Sequence, residues 1–135
     1  MTEQKKILVV EDEAIVLHTL QLILRQSGYD VRGAGDGTEA LAIATAFLPD
    51  ILLCDINLPG TNGIQLSLKI KSDFPDCRIF LLSGEITSAE LLEEAERQGH
   101  HFEVLAKPIE PQQLLRVLAA PAGPRRDHGR IHRVK

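Results

Sequence analysis

At 135 residues, 44% apolar and 25% charged, the chain is suited to one globular domain that folds without disulfide staples. Its net charge of -4 is uneven: beyond residue 120, Arg125, Arg126, Arg130, Arg133 and Lys135 face only Asp127, so residues 1–120 carry -8 and nucleic acid is a poor electrostatic partner. No apolar run nears the ~20 residues of a membrane span, the charged start is no signal peptide, and Cys54 and Cys77 lack metal-ligand spacing, which points to reduced thiols in a cytoplasmic setting.

Short apolar runs at residues 7–10, 30–34, 51–54, 78–82 and 102–106 read as strands, and longer stretches of helical period separate them. After the first run, Val16, Leu20, Ile23 and Leu24 fall on one helical face, and Gly28 supplies a left-handed stop. Asp36 and Glu39 have capping-box spacing for a second helix that must close before Pro49. A third spans roughly residues 63–72 with Leu66 and Ile70 inward. Thr87 and Glu90 cap a fourth that Gly99 ends, and Pro111 opens a fifth packed through Leu114, Leu115 and Leu118. Five strands alternating with five helices predict an α/β fold. The expected architecture is a flavodoxin-like, doubly wound, five-stranded parallel sheet of order 2-1-3-4-5 with helices on both faces. Residues 1–120 form this domain, and residues 121–135, rich in Pro, Gly, Arg and His, read as a basic, disordered tail or linker.

Function is sought at the strand tips. The stretch from Leu52 to Gly63 ends a buried run on a carboxylate, Asp55, and follows it with a stiff loop. The first run is followed by Glu11 and Asp12, the fourth by Ser83 and the fifth by Lys107. In the order 2-1-3-4-5 the first and third strands are neighbours, so Glu11, Asp12 and Asp55 crowd one end of the sheet. Two like charges ~5 Å apart repel by roughly 3 kcal/mol at an effective dielectric near 20. A hard divalent cation or the uptake of protons relieves that repulsion, and, for a cation, few protein oxygens with room for water and phosphate favour magnesium. Ser83 and Lys107 gain a purpose if Asp55 is a nucleophile toward phosphorus, with the cation, the ammonium and the hydroxyl neutralising the transferred oxygens.

With "VVEDE" at 9–13, "DINLPGTNG" at 55–63, "LLSG" at 81–84 and "AKP" at 106–108, residues 5–120 resemble the receiver domain of a two-component response regulator. The resemblance implies a phosphoprotein of a phosphorelay, with Asp55 as phosphoacceptor, Lys107 as phosphate counter-ion and Ser83 as switching hydroxyl. It implies Mg2+ bound by Asp12, Asp55 and the Asn57 backbone carbonyl, with Glu11 acting through water, and a cis Lys107–Pro108 bond. A sensor histidine kinase or a histidine phosphotransfer protein is the implied donor. The face of the fourth helix, fifth strand and fifth helix is the implied contact for a downstream protein. Such a receiver catalyses its own phosphorylation and dephosphorylation but is no turnover enzyme on an external substrate. Asn57 and Glu85 match positions that in this family affect acyl-phosphate lifetime, and the pair implies a transient mark.

One departure affects output. Val104 stands where these receivers carry an aromatic switch residue, three positions before the lysine, and Phe102 shares its strand face by period two. That favours slightly an alternative, a docking module that is never phosphorylated, against which the complete acidic cluster argues. The receiver part of a hybrid histidine kinase fits as well as a stand-alone regulator, and the chain ends too soon for a DNA-binding or enzymatic output domain. A phosphohydrolase of the haloacid-dehalogenase kind needs a second Asp two residues after the nucleophile, where Asn57 stands and cannot titrate.

Overall fold

A computed structural model describes residues 4–84, 87–100, 102–121 and 131–132. Glu85, His101, the Thr87 side chain and the cations of the basic tail lie outside the described residues. In chain order the elements are β1 (Lys6–Val10), α1 (Ala14–Gln26), β2 (Asp30–Ala34), α2 (Gly37–Phe47), β3 (Ile51–Asp55), β4 (Asn57–Leu58), β5 (Thr61–Asn62), α3 (Gly63–Asp73), β6 (Arg78–Ser83), α4 (Thr87–Arg97), β7 (Glu103–Ala106), α5 (Pro111–Ala119) and β8 (Ile131–His132).

The main sheet is parallel and runs β2-β1-β3-β6-β7-β8. Its first five strands have the expected 2-1-3-4-5 order, because β4 and β5 form only a small antiparallel hairpin outside it. β8 is a sixth strand, inside the segment that composition alone reads as tail or linker; it pairs Ile131 with Val104 and His132 with Leu105.

Period-two alternation divides the core between the two faces. Ile7, Val9, Ile51, Leu53, Phe80, Leu82 and Leu105 pack with Leu20 and Leu24 of α1 and Leu114 and Leu118 of α5. Leu8, Val10, Leu52, Cys54, Ile79, Leu81 and Val104 pack on the other side against Ala40 and Ala44 of α2, Leu66 and Ile70 of α3 and Ala95 of α4. Strands covered on both faces are continuously apolar for this reason.

The helix ends follow local chemistry. Asp36 Oδ1 accepts from Glu39 N at 2.8 Å, while Glu39 Oε1 accepts from Gly35 N at 2.7 Å, one residue earlier than a reciprocal box requires. Asn62 caps α3 through Gln65 N, and Glu110 caps α5 ahead of Pro111. Gly28 at φ 96° ends α1, and Gly99 at φ 90° follows α4.

Candidate functional site

The alternation that sorts the core also aims the site. Glu11, Asp55 and Lys107 each lie two residues beyond a member of the α1–α5 cluster, namely Val9, Leu53 and Leu105. Period two therefore turns all three toward α1, and parallel pairing sets their strand tips at one end of the sheet. There Lys107 Nζ donates to Asp55 Oδ2 at 2.8 Å and to Glu11 Oε1 at 3.0 Å. Glu11 is 0% and Asp55 3% exposed, whereas Asp12 faces solvent. Carboxylate oxygens of Glu11, Asp12 and Asp55 lie within 4.8 Å of one another.

One ammonium thus serves two buried acids, with a third carboxylate beside them. Burial first, and then the Asp55 charge, push the Glu11 carboxyl above its ordinary range, against the lowering pull of Glu13 N–H and Lys107. Burial by itself lowers the Lys107 ammonium, but its hydrogen bonds to Asp55 and Glu11 outweigh that and leave it raised. Cys54, directly before Asp55, is fully buried; desolvation and the Asp55 charge push its thiol far up, so it is an inert neighbour.

Backbone groups complete the cradle. Asn57 N donates to Asp55 Oδ1 at 3.1 Å, and Glu13 N donates to Glu11 Oε2 at 3.2 Å. Gly63 N donates to Ile56 O at 2.6 Å, and a Cβ at Gly63 would collide with the Asp55 carbonyl, so this loop closes only on glycine. Ser83, at the tip of β6, meets Lys107 through its backbone carbonyl, which accepts from Lys107 N at 2.9 Å. A Cβ at Gly84 would press on the Lys107 side chain, 3.2 Å from Cδ. The Lys107–Pro108 bond is cis, as the resemblance implies.

The acids open onto a groove of about 840 Å3 whose walls include Val16, Thr19 and Ile23 of α1 together with Pro108 and Ile109. Ile15, on its rim, is 83% exposed. The α1 face read from the sequence supplies Val16, Leu20 and Ile23 to this groove, and only Ile15, which falls off that face, adds a part of the rim that the pattern does not give. Val104 and Phe102 are both buried in the cluster beneath α2, α3 and α4, so neither ring nor branch stands free at the surface.

The sequence profile of the response regulator receiver domain matches residues 7–119. The chain belongs to that family. It is 32% identical over 114 residues to the DNA-binding response regulator MtrA of Mycobacterium tuberculosis, covering 84% of this chain and 49% of MtrA. The alkaline phosphatase synthesis transcriptional regulatory protein PhoP of Bacillus subtilis is 33% identical over 110 residues, 82% of this chain and 45% of PhoP. The chain therefore spans about half the length of these curated relatives, and DNA binding is a property named for them. Among solved structures, the Vibrio cholerae chemotaxis protein CheY4 superposes with a TM-score of 0.76 at 30% identity, covering 86% of this chain and 97% of CheY4. The signal receiver domain of an HD domain-containing protein from Pseudomonas fluorescens gives 0.79 at 29% identity, covering 87% and 86%. The receiver is accordingly a signalling domain of two-component systems rather than a turnover enzyme. Among the described residues, no helix is long and apolar enough to cross a membrane.

Proposed function

We propose that Asp55 accepts a phosphoryl group from a phosphohistidine on a sensor histidine kinase or histidine phosphotransfer protein. The observation that carries this reading is Lys107 bridging Glu11 and Asp55 within hydrogen-bond distance, at a solvent-facing strand tip that Asp12 also borders. A buried ion pair placed for stability alone would not gather a third carboxylate. One Asp55 carboxylate oxygen attacks phosphorus, the P–N bond of the phosphohistidine breaks, and its electron pair leaves with the imidazole nitrogen, which a proton then neutralises. Lys107, already beside Asp55, holds its ammonium against the developing charge, and the Ser83 hydroxyl takes a second phosphoryl oxygen. The Asn57 N–H fixes the carboxylate plane, and the rigid strand β3 holds the nucleophile still.

The donor set fits a hard cation: three carboxylates with oxygens close enough to share one ion, and charge that burial leaves poorly compensated. Asp12, Asp55 and the Asn57 carbonyl hold Mg2+ in this reading, with Glu11 acting through water. Bound there, magnesium supplies positive charge opposite the phosphoryl oxygens. The apolar rim of Ile15, Val16, Ile23 and Ile109 beside Asp55 suits a protein donor rather than a small molecule alone. The domain spans residues 1–120, acts in the cytoplasm, and signals by protein–protein contact through α4, β7 and α5. In this reading residues 121–135 are a basic tail or linker.

Incubating the full chain with a small phosphodonor such as acetyl phosphate and Mg2+, followed by intact-mass spectrometry, tests the chemistry. One phosphoryl group is expected, lost in Asp55→Asn and on chelation of the metal. A wild-type chain that never gains it leaves the docking-module reading in its place. The names of the relatives favour a DNA-binding regulator somewhere downstream; protein capture by the phosphorylated chain, compared with Asp55→Asn, identifies the recipient.

A further inference from the structure

The two edges of the sheet are guarded differently. β2 carries two exposed charges, Asp30 and Arg32. Charges on an edge strand oppose pairing with another chain. β7 reads Glu-Val-Leu-Ala, and its single charge, Glu103, is held by Arg78 through hydrogen bonds of 2.7 and 2.8 Å. Val104 and Leu105 beside it are buried and apolar. Left bare, such a strand is a template for a further strand.

In this chain that place is taken by β8, in parallel register with Val104 and Leu105. The route to it starts at a fixed point, since Arg78 Nη1 donates to Ala120 O at 2.6 Å. We propose that the β7 edge is a strand-addition surface whose resident occupant is this chain's own 131–132 segment, which keeps a second copy of the chain from pairing there. A short tether presents its strand at an effective concentration in the ~mM range, which a free copy at ~μM does not match. Two residues of pairing offer little net stability, about 1 kcal/mol for each backbone hydrogen bond, so the strap opens readily. Asp55 and its phosphorylation play no part in this device.

Proline removes the amide donor of a strand residue. Alternate residues of a parallel strand aim their N–H at a given neighbour, so either Ile131→Pro or His132→Pro must strike the β7 contact. Hydrogen exchange of the 103–106 backbone and sedimentation velocity are measured on both full-length variants and on the wild type. In one variant the β7 amides are expected to exchange about fivefold faster, the factor that 1 kcal/mol represents. The same variant is expected to self-associate as its concentration rises, while the wild type does not. Unchanged β7 exchange in both variants overturns the proposal, and so does faster exchange in a chain that stays monomeric at every concentration.

Discussion

At the carboxyl ends of the strands one ammonium, Lys107, is divided between two buried acids with a third beside them. Toward the amino ends, among the described residues, Arg78 meets one acid, Glu103, fork to fork at 2.7 and 2.8 Å, stacks 4.6 Å from the Phe80 ring and binds the Ala120 carbonyl. Nearby, Arg32 lies over the Phe47 ring at 4.6 Å and Asp50 accepts from Lys6 N at 2.8 Å. Both ends use ionic groups at partly buried positions, but only one balances them. A fork-to-fork pair sets one full charge against its opposite in fixed geometry. The crowded end keeps an electrostatic deficit, and imbalance of that kind is concentrated at functional sites.

Lysine removal breaks the contrast most sharply. Lys107→Ala strips two buried carboxylates of their counter-charge and is expected to destabilise the metal-free protein by about 3 kcal/mol. Because the Lys107 ammonium is raised, its contribution is intact at neutral pH and fades only as pH climbs through that raised value. Urea denaturation checks this, and added Mg2+ is expected to recover part of the loss. Arg78→Ala comes next, at about 2 kcal/mol from the lost charge-assisted hydrogen bonds. Mg2+ is expected to leave that loss untouched, and phosphorylation from a small donor to run at the wild-type rate. A loss at Arg78 that Mg2+ repairs would erase the distinction between the two ends.

The smallest effect concerns Glu11. Its carboxyl is raised in the folded protein, so folding favours the protonated form. That contribution is complete below the unfolded value and is lost as pH rises through the folded one. Metal-free wild type should therefore lose stability relative to Glu11→Gln as pH rises from about 4 toward 7, with the ordinary carboxylate value as the starting point. Thermal melts of both proteins across that range read the difference. A wild type that gains on the variant instead would show Lys107 to be ample cover for both acids.

Much of the crowded end was legible in the sequence, because it rests on period two and strand order. Runs of four or five apolar residues fix which side chains share a face, and Glu11, Asp55 and Lys107 then follow by parity. The same counting does not reveal that Glu11 is the buried acid and Asp12 the exposed one, since α1 begins within three residues and its packing decides. Ser83 is legible as a strand tip, yet its visible link to Lys107 runs through the carbonyl, which any residue type would supply. The balanced end was missed entirely. Arg78 and Glu103 are 25 residues apart and each alone looks like a solvated strand start, so no periodicity announces the pair. β8 is too short to carry an alternation of its own.

Arg78's grip on the Ala120 carbonyl has a mechanical consequence. The last turn of α5 is fastened to the base of β6, so whatever follows residue 120 is moored to the sheet itself and not to a loosely hinged helix. A pull on that part of the chain meets β6 first, the strand paired along its length with β3.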